Sequence, residues 1–245
     1  MRQVGSIVFW LFVVLSSIPL TLIAFLIWIV TMPFDKRRVV LHRFTCFWAS
    51  LYTWLNPAWP VTITGRENIE PGRTYVIVAN HLSLLDILVL FRLFKDFKWV
   101  SKAEIFKVPG VGWNMSWNKY IALKRGDKES IAEMMSASED TLRSGSSIMI
   151  FPEGTRSKTG ELKEFKRGAF DMARDTDTPI VPLVIRGTSD ALPKHGFILQ
   201  GKHPISVTVL PEVSVSVVET STTIELSDHV HQLIADEIAR EPQPV

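Results

Sequence analysis

Seven consecutive residues, Asn80-His81-Leu82-Ser83-Leu84-Leu85-Asp86, bring an imidazole and a carboxylate to the end of an apolar run. Thr74 to Ala79 before them reads as a buried β-strand closing in a polar turn. Leu84 to Phe94 after them is rich in Leu, Ile and Phe and reads as a buried helix. Ser83 is then a natural N-cap, and Asp86 falls at the third helical position, the S-x-x-D form of a capping box. First-turn side chains lean back toward the helix N-terminus, so Asp86 can reach an imidazole at position 81. A carboxylate that accepts from one imidazole nitrogen leaves the other free to take a proton from a hydroxyl. The plainer reading of the same seven residues is a helix cap beside an ordinary strand-end histidine, and this stretch alone does not choose between the two.

A second group is Phe151-Pro152-Glu153-Gly154-Thr155-Arg156-Ser157. A strand ends at Phe151, and Pro152 and Gly154 force a turn that leaves Glu153, Thr155 and Arg156 at its carboxyl end, where open α/β sheets bind ligands. Arg156 offers a planar fork of donors suited to phosphate. Standing alone it would be a surface ion pair. Lys102, Lys124-Arg125 and Lys166-Arg167 supply more cations, the first two also following strands, so these groups can converge on one edge of a sheet. Ser101 to Ile105 and Val108-Pro-Gly-Val-Gly112 read as a loop with a lysine at its entry.

The elements that must position these groups alternate. Strands are expected at 61–64, 74–79, 98–101, 120–123, 147–151, 180–185 and 205–210, and helices at 84–94, 128–143, 167–175 and 224–239. Alternation of this kind implies an α/β fold with a mostly parallel sheet flanked by helices. Ahead of it, Gln3 to Phe34 form a run of 32 residues with no charge and no histidine. A spanning helix needs ~20 apolar residues. The run is too long for a cleaved signal peptide and has no small-x-small cleavage site. A hairpin bent at Pro19 would have arms of roughly 22 Å, too short to cross the membrane twice. What remains is one tilted span or immersion in one leaflet. Asp35-Lys36-Arg37-Arg38 comes after the run and a lone Arg2 precedes it, so the chain beyond is expected on the cytoplasmic face, which in a prokaryote means the inner membrane. Residues 37–55 read as an amphipathic interfacial helix with Val40, Phe44, Phe47, Leu51 and Leu55 on one face. Trp48, Tyr52, Trp54 and Trp59 are expected as interfacial aromatic anchors, the alternative being that this helix packs on the globular domain. The chain thus divides into a membrane-anchoring segment, 1–60, and a catalytic domain, 61–245.

Charge agrees with that division. Residues 1–168 carry 22 basic and 14 acidic side chains, whereas residues 169–245 carry 5 and 11. A basic front portion behind an apolar segment fits an anionic membrane surface or phosphorylated substrates. The overall net charge of +2 does not suggest a nucleic-acid partner. One cysteine, Cys46, excludes an intramolecular disulfide. No zinc-spaced His/Cys cluster and no G-x-S-x-G elbow is present, so neither a metal nor a serine nucleophile is expected. His42, His195, His203, His229 and His231 lack a comparable context and read as solvated.

Taken together, these groups resemble the glycerolipid acyltransferases, specifically the 1-acyl-glycerol-3-phosphate acyltransferases. Asn80-His81 to Asp86 matches the family's N-H-x-x-x-x-D motif. Lys102 to Gly112 followed by Ile121 to Arg125 is similar to its second block, Phe151 to Ser157 matches the third at every position, and Ile180-Val181-Pro182-Leu183 fits the fourth. The resemblance covers about residues 60–210, with the blocks in family order. It implies acyl transfer from acyl-CoA or acyl carrier protein to the free hydroxyl of lysophosphatidic acid, giving phosphatidic acid without a cofactor. It further implies that His81 is the general base and that Asp86 holds it. Lys102, Arg125 and Arg156 would hold the acceptor phosphate, and Glu153, Gly154 and Thr155 would shape the acceptor pocket, Glu153 bonding a glycerol oxygen. Lys119 and Lys124 stand where the family usually has glycine and aspartate; as extra cations they could hold a phosphate or signal a different acceptor. Alternatives are another lysophospholipid, glycolipid or aminolipid acceptor, a lipid thioesterase in which His81 activates water, and a non-catalytic lipid-binding module.

Overall fold

The computed structural model describes residues 2–194 and 196–240. Its helices are α1 (Arg2–Thr31), α2 (Val39–Trp54), α3 (Leu85–Phe91), α4 (Val111–Trp117), α5 (Lys128–Arg143), α6 (Gly168–Asp175), α7 (Thr188–Ala191), α8 (Val215–Thr220) and α9 (Thr223–Ala239). The strands are β1 (Val61–Thr64), β2 (Val76–Ala79), β3 (Phe97–Lys102), β4 (Ile121–Leu123), β5 (Ser147–Ile150), β6 (Ile180–Arg186) and β7 (Ile205–Val209). They form one sheet in the order β1-β7-β6-β2-β5-β3-β4, parallel throughout except for the β6–β7 pair. The central strands β2 and β6 are buried along their apolar length, as strands covered on both faces must be. One core, including Tyr75, Phe97, Trp99 and Met149, lies on the side of α1 to α4; the other, including Phe170, Ile148 and Val230, lies beneath α5, α6 and α9.

Local chemistry explains several boundaries. The Asp127 carboxylate caps α5 by accepting from Ser130 N at 3.2 Å, and Gly145 at φ 83° follows its end. Thr222 and Glu225 form a reciprocal capping box on α9. In α1 the hydroxyls of Ser6, Ser16, Ser17, Thr21 and Thr31 each donate to the carbonyl four residues back, which satisfies them within an apolar helix.

Three expectations are corrected. The region after Lys102 is largely helical: a 3-10 turn spans Ala103–Lys107 and α4 begins at Val111. Gly112 is what permits this, because a Cβ there would lie 2.2 Å from Phe106 O. Trp48, Tyr52 and Trp59 are buried, not interfacial; Trp48 Nε1 donates to Tyr52 Oη at 2.8 Å, and Phe9 of α1 packs edge-on against Trp59. Val40, Phe47, Trp54 and Leu55 do remain exposed, so α2 packs on the domain with one face and presents apolar side chains on another. His42 is fully buried, with Nδ1 bonded to Tyr120 Oη at 2.7 Å and Nε2 to Lys95 O at 2.9 Å. Burial lowers its pKa and keeps it neutral. His203, His229 and His231 are at least partly exposed, as expected; His195 lies outside the described residues.

Candidate active site

Strands β6, β2, β5, β3 and β4 are contiguous and parallel, so their carboxyl ends share one edge. That edge carries the first three sequence blocks, while the fourth runs along β6 beside β2. Residues 180–183 of β6 pair one for one with Val76–Ala79 of β2, which leads directly into Asn80.

Where β2 ends, its polar groups need partners, and they find them across the sheet. The Asn80 amide clamps Ile185, donating to its carbonyl at 2.9 Å and accepting from its N–H at 2.7 Å. His81 N donates to Glu153 Oε1 at 2.7 Å, and His81 O accepts from Ser157 N at 2.8 Å. Asp86 is wholly buried in the first turn of α3, where Oδ2 accepts from His81 Nδ1, Leu82 N and Ser83 N at 2.8, 2.7 and 2.8 Å. The carboxylate arm of the expected capping box is therefore present. The hydroxyl arm is weaker: Ser83 Oγ accepts from Leu85 N at 3.3 Å but gives its proton to Leu192 O at 2.6 Å.

A carboxylate only accepts, so Nδ1 of His81 carries the proton and Nε2 presents a lone pair. The ring cannot swing: it stacks on Phe151 with centroids 3.9 Å apart and planes 7° from parallel, and Phe151 leans on Trp99 at 5.4 Å. Leu84, Leu85 and Trp99 also line an apolar cavity of about 280 Å³, walled further by Trp48, Ala49 and Met115. The helix that begins just after the histidine, α3, thus walls a cavity in which an apolar chain can lie.

Gly154, at φ 70°, provides the turn after β5, and the Lys166 side chain lies across it; a Cβ there would meet Lys166 Cε at 2.9 Å. Glu153 is only 3% exposed, and its two oxygens accept from His81 N and from Lys163 N at 3.3 Å. Its carboxyl therefore braces the histidine turn, instead of reaching outward for a glycerol oxygen. Burial pushes it up from 4.5 to about 7, against the opposing effect of the two N–H donors. A folded value above the unfolded one means that its contribution is fully present below pH 4.5 and lost as pH rises through about 7. Wild-type protein is expected to lose about 3 kcal/mol across that window relative to Glu153→Gln. Parallel stability–pH curves from chemical denaturation would rule this out.

The cations separate. Arg156 and Thr155 are half-buried in the turn after β5, and the Arg156 carbonyl accepts from Lys194 Nζ. Lys102 is exposed at the end of β3, 3.3 Å from Glu104. Arg125 is exposed two residues beyond β4. Lys124 is paired with Asp127 at 2.7 Å. Lys119 is corrected outright: it precedes β4, at the amino edge of the sheet, and its ammonium donates to Lys36 O at 3.1 Å. It cannot hold a phosphate beside His81. The sequence reading also missed Thr188, whose hydroxyl donates to Asp86 Oδ1 at 2.5 Å. The Gly187-Thr188 pair just past β6 was its one available signal.

Residues 60–186 match the family model described as Acyltransferase. Over 195 residues the chain is 35% identical to a 1-acyl-sn-glycerol-3-phosphate acyltransferase of Chlamydomonas reinhardtii, covering 79% of this chain and 58% of that one. Over 162 residues it is 41% identical to the chloroplastic enzyme of that name from Arabidopsis thaliana, covering 65% and 45%. The chain thus spans about half the length of these relatives. The crystal structure of the 1-acyl-sn-glycerophosphate acyltransferase from Thermotoga maritima superposes with a TM-score of 0.77, covering 99% of this chain and 100% of that one at 22% identity, which establishes a shared fold. With the family match running over more than half of its 245 residues, through all the blocks that meet at the sheet edge, the chain belongs to the acyltransferase family.

Proposed function

We propose that this protein transfers a fatty acyl group from a thioester, acyl-CoA or acyl carrier protein, to the free hydroxyl of 1-acyl-glycerol-3-phosphate, forming phosphatidic acid. The observation that carries the reading is the His81–Asp86 pair, 2.8 Å apart, on a turn and helix α3 whose Leu85 and Leu88 wall an apolar cavity, with Arg156 on the adjoining turn. His81 Nε2 takes the proton of the acceptor hydroxyl as its oxygen attacks the thioester carbonyl. The carbon–sulfur bond breaks, and the imidazolium returns the proton to the departing thiolate. Asp86 stabilises the imidazolium between these steps. Arg156, with Lys102 and Arg125 from the neighbouring strand ends, holds the acceptor phosphate, and Thr155 shapes the pocket beside it.

The N-terminal portion fits a lipid-borne acceptor. α1 is long and apolar enough to cross a membrane by length and composition. It nonetheless touches the catalytic domain near both ends, with Trp10 Nε1 bonded to Phe197 O at 2.7 Å and Trp28 stacked on Trp117 at 5.6 Å. Those contacts lie about 27 Å apart along the helix, close to a bilayer's hydrocarbon thickness. A helix held to the domain over that length favours immersion in one leaflet, on the cytoplasmic side that the basic residues after it select.

The test is acyl transfer by the detergent-solubilised protein, offered labelled acyl-CoA with lysophosphatidic acid, with lysophosphatidylcholine, or with no acceptor. Phosphatidic acid in the first tube alone is expected. Free fatty acid at equal rates in all three would replace the reading with a thioesterase. Arg156→Ala is expected to raise the acceptor KM by ~10–100-fold, the value of a charge-assisted bond to phosphate, with kcat nearly retained. An unchanged acceptor KM would remove Arg156 from the phosphate site.

A further inference from the structure

Asp86 has no solvent exposure, so each of its oxygens needs a donor. Oδ2 has three, the His81 ring and the N–H groups of Leu82 and Ser83. Oδ1 has one among the described residues, the Thr188 hydroxyl at 2.5 Å. Thr188 is itself fully buried, and an ionised carboxylate cannot donate, so the proton in this bond belongs to the threonine. We infer that Thr188 is a positioning residue for the transfer reaction, holding the Asp86 carboxylate in the rotation that aims Oδ2 at His81. The inference rests on the reading of His81 as the base.

The fold delivers Thr188 to this place by several independent contacts. β6 is the parallel neighbour of β2, with Leu183 opposite Ala79, and the Asn80 clamp on Ile185 locks the two strand ends together. Gly187, at φ 81°, then turns the chain tightly over the segment entering β7; a Cβ there would lie 2.1 Å from Pro204 O. Thr188 opens α7 immediately after, and four residues on, Leu192 O accepts the Ser83 hydroxyl. The corner from Ile185 to Leu192 therefore grips the first motif at Asn80, Ser83 and Asp86. Threonine suits the position because its branched Cβ restricts χ1 and leaves the hydroxyl little freedom to turn away. Outer partners of this kind typically change activity by ~10–100-fold when removed.

Charged groups around His81 come from two elements. Asp86 lies on α3, and Glu153, on the turn after β5, accepts from the His81 backbone. Arg156 and Lys194 stand beyond Glu153. Of these groups only Asp86 bonds Thr188, so replacing Thr188 acts on His81 through that carboxylate.

The experiment uses the full-length protein in detergent with three variants. Thr188→Val keeps the shape and removes the donor, Thr188→Ser keeps the donor, and Thr188→Cys keeps a weak one. Each is read by kcat, by KM for both substrates, and by NMR titration of the His81 imidazole, assigned from its loss in His81→Ala. For Thr188→Val, kcat is expected to fall ~10–100-fold with both KM values little changed. Losing a donor leaves Asp86 more basic and the imidazolium better stabilised, so the His81 titration and the acid limb of the rate profile should move to higher pH. Thr188→Ser should stay near wild type. Wild-type kcat in Thr188→Val with an unmoved His81 titration would overturn the inference, as would Thr188→Ser falling as far as Thr188→Val. Should Thr188→Val not fold, Thr188→Cys decides by the same two readouts, an intermediate kcat and shift being expected and no change overturning it. The titration does not depend on turnover. A protein that transfers no acyl group yet shows the shift would retain Thr188 in its role while losing the proposed activity.

Discussion

Replacing His81 by alanine is expected to lower kcat for acyl transfer by ~10²–10⁴-fold, the usual contribution of a positioned general base. The effect should fall on kcat more than on either KM. The imidazole contacts the reacting proton, whereas the cations and the cavity hold the substrates. The fold should survive, because the backbone of residue 81 keeps its bonds to Glu153 Oε1 and Ser157 N, and the aromatic platform of Phe151 and Trp99 is untouched. One cost is foreseeable. Asp86 loses a donor from Oδ2 but keeps Leu82 N, Ser83 N and Thr188 Oγ1, so its buried charge stays satisfied. A variant that melts with wild-type cooperativity and turns over at the wild-type rate would remove His81 from the mechanism.

The second large effect concerns the acyl chain. Ala49, on α2, lines the apolar cavity that opens beside Leu84 and Leu85. Ala49→Leu would fill part of its roughly 280 Å³ with three carbons. One methylene in an apolar pocket changes discrimination by ~10–200-fold. In competition between long and short acyl thioesters, the long-chain preference should fall by at least ~10-fold, with activity on the shorter donor retained. Retained short-chain activity separates a blocked cavity from a damaged fold. An unchanged ratio would mean that the transferred chain lies elsewhere.

Much of this architecture is legible in the order of residues alone. The strand at Val61–Thr64 and the helix at 128–143 fall where the pattern places them, and the other strands deviate by no more than two residues. Asp127 and Gly145 punctuate their helix by local chemistry alone, and apolar runs bounded by turns suffice for strands buried on both faces. The His81–Asp86 pair is legible for the same reason, because a reach of five residues across a helix start is a local geometry.

What escaped the sequence depended on partners distant in the chain. α4 begins amid Pro109, Gly110 and Gly112, residues that argue against a helix, and it forms because α1 and the preceding turn press so close that only glycine fits. His42 looked solvated, yet its two partners lie 53 and 78 residues away, and its neutral state results from burial that no local pattern records. Trp48 and Tyr52 had the composition of membrane anchors, but the Ser16 and Ser17 hydroxyls of α1, 3.1 Å from Tyr52 Oη, bring them indoors.

By itself, then, the sequence determined the alternation of strands and helices, the apolar entry segment, and the residue types able to move a proton and hold a phosphate. Tertiary structure decided which of those residues meet. It sent Lys119 to the amino edge and left Arg156 at the carboxyl edge, although both looked like phosphate ligands. It turned Glu153 inward as a brace and set Thr188 on Asp86 across 102 residues of chain. The reason is physical: periodicity and capping are written in neighbours a few residues apart, whereas desolvation and the pairing of buried polar groups depend on what the sheet order brings together.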